Sequence, residues 1–492
     1  MTESASASGQ QSGPARFSDT QALLPPRPIS ISPNSQSWLA LFETARNPLT
    51  LWSERFFQHD TILNHITDGG RKTDRLCVMH PDLVREVLEN TNHDLVPFPA
   101  SHHCHDVILS ERMAAFPSLT ASMSHFSGMA LGSYFATMDA EAKLFADRWA
   151  ASLLDEGQDI DLIVSDIAKR MMMRTLLGSL SDDLTEPLMQ ALQESIAATG
   201  SLDALKHLGL PKWLPQLSAR MYNTKQSRLN NLAGSAIAAH RQKLANNPAL
   251  TKPSDFLSAL IQNIGPDSSD MSQDDAIRTM LIAVLSSCYA ATCHTLTWSL
   301  GILAVHPDIQ RDCAMEAQRL LNSTKQTKLF SSISDLDQAV LIKSVLNEVL
   351  RLYPVVPVVR RLAVKETQIG DHRITAGSTV IVAPWVLHRH ASLWTDPHHF
   401  KPERFLGHGQ NIKPYSYLPF GGGEQSCISF AYMLLASRLV LLHVLNLLSL
   451  RLKDNQNLPV PVQRFGLEPQ TSIVCQLSLR DTSPDTSSKD SL

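Results

Sequence analysis

The chain has 492 residues, 43% of them hydrophobic and 18% charged, with a formal net charge of −4. That is the balance of a globular protein able to bury a large core around a cofactor-sized pocket, and it gives no overall attraction for nucleic acid, so no nucleic-acid partner is expected. Seven cysteines (Cys77, Cys104, Cys288, Cys293, Cys313, Cys427 and Cys475) form no CxxC pair and no disulfide framework, which reads as reduced thiols and a cytoplasmic location.

Residues 1–28 begin with a stretch rich in Ser, Gln and Ala and end at Pro25, Pro26 and Pro28; this segment is expected to be disordered, as is the polar tail 481–492. Neither a signal peptide nor a membrane span is expected, because the apolar runs near 279–286 and 439–450 are too short to cross a bilayer. Between 29 and 480 no linker or repeat interrupts the chain, so one domain, and a monomer, is expected. Apolar residues recur at spacings of three and four over 81–90, 139–155, 159–177, 184–198, 224–246, 272–301, 307–321, 334–351 and 428–448, which predicts helices. Short strand-like pieces fall at 74–79, 366–369, 379–383 and 471–478. The fold class is therefore mainly α with a small β portion. Ser272 and Asp275 form a candidate capping box for the helix from 272. From about 385 to 427 the chain turns irregular, with Pro397, Pro402, Pro414 and Pro419, and long irregular stretches inside a compact domain tend to be functional.

That stretch ends in Phe420-Gly-Gly-Gly-Glu-Gln-Ser-Cys427, followed by an apolar helix. Glycines allow a tight turn and close approach to a flat cofactor. A cysteine at a helix start has its thiolate stabilised by the helix dipole and free N–H groups, which suits a thiolate on haem iron. Taken alone, a buried structural cysteine explains the loop about equally well. Upstream, Glu348 and Arg351 share one helix face, and Lys401-Pro-Glu-Arg404-Phe follows about 50 residues later, 23 before Cys427.

With these motifs in this order, the sequence resembles the cytochrome P450 family, over roughly residues 30–480. The resemblance implies the mainly helical P450 fold and haem b (iron protoporphyrin IX) bound through the Cys427 thiolate, with Phe420 and Gly423 in the cofactor-binding loop. It further implies a buried charge network of Glu348, Arg351 and Arg404 that locks the loop, and an Arg361 contact to a haem propionate. Thr295 to Leu300 closes a helix resembling the one that crosses the distal face. The pocket would draw on loops near 93–112, helices around 200–225, the distal helix and the strand near 468–474.

Four positions depart from the family pattern. Gln425 stands where Arg or His usually pairs with a propionate, and can donate a hydrogen bond but not a charge. Ser429 replaces the usual Gly two residues after the cysteine. The distal motif, usually Ala/Gly-Gly-x-Asp/Glu-Thr, reads Ser287-Cys-Tyr-Ala290-Ala291, so the acid and alcohol that relay protons to oxygen are both missing. Thr292 and Ser287 are the candidates to hold a water in their place, although bonding back to its own helix is the commoner role for a threonine such as Thr292. The Trp-x-x-x-Arg segment that supplies another propionate contact is absent, with Arg112 the only nearby candidate, which leaves Arg361 or Arg360 to do most of the neutralising.

Three functions follow, in order. The first is a monooxygenase that inserts one oxygen atom of O2 into a small apolar organic substrate, with electrons from a separate ferredoxin or reductase, since no dinucleotide fingerprint is present. The second is a haem-thiolate enzyme for rearrangement, dehydration or peroxide-driven chemistry, which needs no relay. The third is a non-catalytic protein that keeps the fold. His102, His103, Cys104 and His105 are too close in sequence for a structural zinc site with separated ligand pairs. His388-Arg389-His390 and His398-His399 are read as surface or packing residues.

Overall fold

The computed structural model describes residues 23, 47, 49, 52, 54–68, 71–89, 93–98, 128–152, 157–178, 180, 182–207, 213–246, 255–263, 273–323, 330, 332–407, 412–423, 426–427, 429–455, 457–464 and 466–480. The Ser272 cap, Arg112, the His102–His105 run, Gln425 and the tail 481–492 lie outside them. Leu23 falls in the segment expected to be disordered. It is half-buried against the core, and its N–H donates to the His398 carbonyl at 2.7 Å.

The helices are α1 (Pro81–Leu88), α2 (Gly128–Ala151), α3 (Ile160–Thr175), α4 (Asp182–His207), α5 (Trp213–Asn246), α6 (Phe256–Asn263), α7 (Gln273–Ala304), α8 (Pro307–Ser323), α9 (Ile333–Leu336), α10 (Val340–Leu352), α11 (Pro384–Leu387) and α12 (Phe430–Leu447). Helix α7 is apolar on nearly every side, so it can only be stable where all of its faces are covered. It packs against α3, α5, α10 and α12, while α2 closes over α12 and α3. Both α7 and α12 are long and apolar enough to cross a membrane, yet most of each is buried inside the fold. Asp274 and Asp275 in the first turn of α7 complement its N-terminal dipole.

Most helices fall at the expected positions with shifted ends: α2 runs from 128 to 151 rather than 139 to 155, α4 runs to 207 rather than 198, and α5 begins at 213 rather than 224; the helix expected over 334–351 is instead two, α9 and α10, and α6 and α11 were not expected. Gly200 sits inside α4, where a glycine costs about 1 kcal/mol relative to alanine. The strands were harder to read. A five-stranded sheet runs β1 (Thr61–Asp68), β2 (Arg71–Val78), β8 (Thr379–Val382), β5 (Val359–Ala363), β3 (Leu95–Pro97). Only the β2–β8 pairing in it is parallel. A second sheet joins β4 (Gln158–Asp159), β12 (Val474–Leu479) and β9 (Leu448–Leu452), so the end of the chain pairs with the entry to α3. Two hairpins, β6 (Thr367–Ile369) with β7 (His372–Ile374) and β10 (Pro461–Gln463) with β11 (Leu467–Pro469), complete the β portion.

Candidate active site

A cavity of about 540 Å3 opens between α7, strand β5, the Phe420–Gly422 turn and the loop that includes β11. Sheet register sets one wall: Pro97 stands opposite Arg361 across β3 and β5, and Pro97, Phe98, Arg360 and Arg361 all line the cavity. Arg361 is buried and donates to the Arg360 carbonyl. Val355, Val358, Phe420 and Leu467 make the walls largely apolar. From α7, Ser287, Ala290, Ala291, His294 and Thr297 face in.

Cys427 lies in the cavity wall and is buried. Its N–H donates to the Phe420 carbonyl at 3.0 Å, which closes the glycine turn into a loop just before α12. Around the sulfur stands a triangle of polar atoms. Ser429 Oγ is 3.0 Å from Cys427 Sγ, Ser287 Oγ is 3.2 Å from the same sulfur, and the two hydroxyls are 2.7 Å apart. Ser287 approaches from α7 and Ser429 from the first residues after the cysteine. Nearby Cys288 is buried, and burial, with the adjacent Cys427 second, pushes its thiol up.

Beneath the loop, Glu348 and Arg351 are fully buried on α10 and paired at 2.7 Å, and Arg404 reaches the same carboxylate at 3.2 Å. The five Arg351 N–H groups all find acceptors: two go to Glu348 and three to the carbonyls of His388, Pro397 and His399. Glu348 also accepts from the Lys401 N–H at 2.9 Å. Two ions are thus kept inside the protein because nearly every lone pair and proton is satisfied. His388 carries the network to the loop. Its Nδ1 donates to the Arg351 carbonyl at 3.0 Å, and its Nε2 accepts the Leu418 N–H at 2.7 Å, two residues before Phe420. Burial, then the adjacent Arg351 charge, pushes its pKa well below the ordinary value, so the ring is neutral.

Of the residues expected at the site, the cavity wall brings together Cys427, Phe420, Arg361 and Ser287. Two expectations need correction. Thr292 lies outside the cavity lining: it is buried, and its hydroxyl finds no protein hydrogen-bond partner, so it does not bond back to its helix. One residue along a helix turns the side chain by about 100°, and that step takes it off the cavity face. Gly423 is not among the cavity-lining residues. It adopts φ +71°, and a Cβ there would overlap the Leu88 carbonyl, so glycine is required for the loop to pack on the end of α1. His388, read as a surface or packing residue, is a bridge between network and loop that no spacing signals. Ser429 was legible only as a departure from glycine.

The fold and site define a class: a mainly helical protein that presents a buried thiol, on a loop locked by internal charges, to a largely apolar cavity. Residues 66–476 match the Cytochrome P450 family model, and the chain belongs to the cytochrome P450 family. It is 32% identical over 232 residues to Cytochrome P450 3A6 of Oryctolagus cuniculus, and that match covers 46% of each chain. It is 33% identical over 234 residues to Cytochrome P450 3A1 of Rattus norvegicus, covering 46% of this chain and 45% of the other. The matches thus span about half the length of these curated relatives. Among solved structures, the cytochrome P450DA heme domain superposes with a TM-score of 0.70 at 20% identity, covering 85% of this chain and 90% of that one. The family uses haem b held by a cysteine thiolate. The donor set here fits that group: a thiol in the wall, largely apolar lining around it, and two arginines, Arg360 and Arg361, among the lining residues for its carboxylates.

Proposed function

We propose that this protein is a haem-thiolate monooxygenase that inserts one oxygen atom of O2 into a small, mostly apolar organic substrate. The observation that carries the reading is the Cys427 thiol in the wall of the cavity, on a loop held by Glu348, Arg351, Arg404 and His388. Cys427 would hold the haem iron through its thiolate, and the bound haem would supply the chemistry that activates oxygen. Arg361, with Arg360, pairs the haem carboxylates, which compensates for the segment that lacks a Trp-x-x-x-Arg. The apolar wall formed by Val355, Val358 and Leu467 orients substrate and excludes water. Ser287, the hydroxyl that α7 directs into the cavity nearest the thiol, holds the water that replaces the missing acid–alcohol pair. Electrons come from a separate ferredoxin or reductase. A reducing compartment such as the cytoplasm suits the six described cysteines, all of which are free.

The test is the carbon-monoxide difference spectrum of the dithionite-reduced protein, purified from cells given a haem precursor. The strongly red-shifted band of a thiolate–iron complex is expected, and Cys427→Ala is expected to abolish it. A folded, colourless protein overturns the reading. A second reading, peroxide-driven or rearrangement chemistry, is favoured by Ala290 and Ala291, whose methyl groups stand in the cavity wall where a relay would need an acid and a hydroxyl. Turnover with peroxide and none with any reductase would select it.

A further inference from the structure

The geometry points to Ser429 as a positioning residue that donates a hydrogen bond to the Cys427 sulfur and thereby raises the reduction potential of the iron; this rests on the haem-thiolate reading above. Ser429 Oγ lies 3.0 Å from the sulfur and the residue is fully buried, so no bulk water competes for the hydroxyl proton. The hydroxyl has two neighbours, the sulfur and Ser287 Oγ at 2.7 Å. A hydroxyl carries one proton and two lone pairs. Ser287 can donate to Ser429 while Ser429 donates to sulfur, which satisfies the triangle without leaving a buried donor unpaired.

The two hydroxyls differ in what survives when a cofactor takes the cavity. Ser287 reaches the sulfur from α7, a separate element, so its contact would be given up if a cofactor came between α7 and the loop. Ser429 is two residues from Cys427 on the same segment, and its backbone carbonyl is already fixed by the Met433 N–H at 2.9 Å in the first turn of α12. Its contact with the sulfur belongs to the loop itself. A donor to a coordinating sulfur draws electron density away from the metal and favours the reduced, more negative state, so outer hydrogen bonds tune the potential. The glycine usual at this position in the family has no side chain with which to make such a bond. The consequence for this chain is a ferric form that its redox partner reduces more readily, in a protein without the acid–alcohol pair on its distal side.

The experiment is spectroelectrochemical titration of the haem-loaded protein, with the iron–sulfur stretching frequency read by resonance Raman on the same samples. Ser429→Ala and Ser429→Gly are expected to shift the ferric/ferrous midpoint to more negative values and to raise the stretching frequency. Ser429→Thr, which keeps the hydroxyl, is expected to stay near the parent in both. Potentials that are equal in parent, alanine and glycine variants overturn the inference, as does a threonine variant that shifts with the alanine one, which would mark a packing effect. If Ser429→Ala fails to fold, Ser429→Gly carries the comparison alone. A parent protein that lacks the thiolate–iron band fails the function reading and this inference together, whereas the band with unmoved potentials fails this inference alone.

Discussion

Thr292 shows how far a single side chain can depart from its reading. It follows two alanines, one residue past the position where the family pattern carries a hydroxyl, and its oxygen is buried with no protein partner. A buried hydroxyl without a partner costs on the order of 1–3 kcal/mol. Thr292→Val, nearly the same shape, is therefore expected to leave the melting temperature unchanged or raised and the carbon-monoxide band intact. A large loss of turnover in that variant would restore Thr292 to the active site. Ser287 and Ser429 present the opposite case: sequence marks one as a water-holding candidate and the other as a departure from glycine, and only the approach of α7 to the segment before α12 puts them on one sulfur.

At the scale of elements, α10 and the Pro402–Phe405 turn are held by one carboxylate. Removing Glu348 leaves Arg351 and Arg404 charged and facing each other in the interior, and breaking a buried pair from one side typically costs about 3–5 kcal/mol. Glu348→Gln is expected to lower the unfolding free energy by that order, read as a lower urea midpoint, and to release haem, whereas Arg373→Ala at the exposed Arg373–Glu366 pair is expected to change the midpoint little. Equal effects of the two substitutions would show that the network does not lock the loop. The network was legible because its members sit at fixed spacings in motifs. The long helices were legible because their apolar periodicity runs over many turns. The short strands were not: three-residue pieces such as β3, β7 and β10 hold too few residues to show an alternation, and β5 carries two arginines, one of them buried. His388 was not legible because its role comes from the Leu418 N–H, a backbone group that no residue pattern reports.

Across the whole molecule, several imidazoles are buried and kept neutral. Burial lowers His388, His306 and His240, and takes His398 down to about 4. In the unfolded chain these rings bind a proton below about pH 6.5, while the folded protein refuses it. Stability is then constant above that pH and falls as pH drops from about 6.5 toward the folded values, by up to ~1.4 kcal/mol per pH unit for each ring that stays neutral. Urea midpoints from pH 8 to pH 5 are expected to hold and then decline. A flat profile would mean that the rings take up protons while folded.

The parallel pairing of β2 with β8 joins Arg75 to Thr379, and the antiparallel pairing of β4 with β12 joins Asp159 to Val474. As the chain emerges from a ribosome, its early strands therefore wait for partners made hundreds of residues later. Contacts of such long sequence separation fold slowly, and until they form the edges of β2 and β4 are open to pairing with other chains. Synthesis rate and chaperone supply should then govern the yield of folded protein, and cofactor that arrives before the last strand has docked meets a chain with no finished site to receive it.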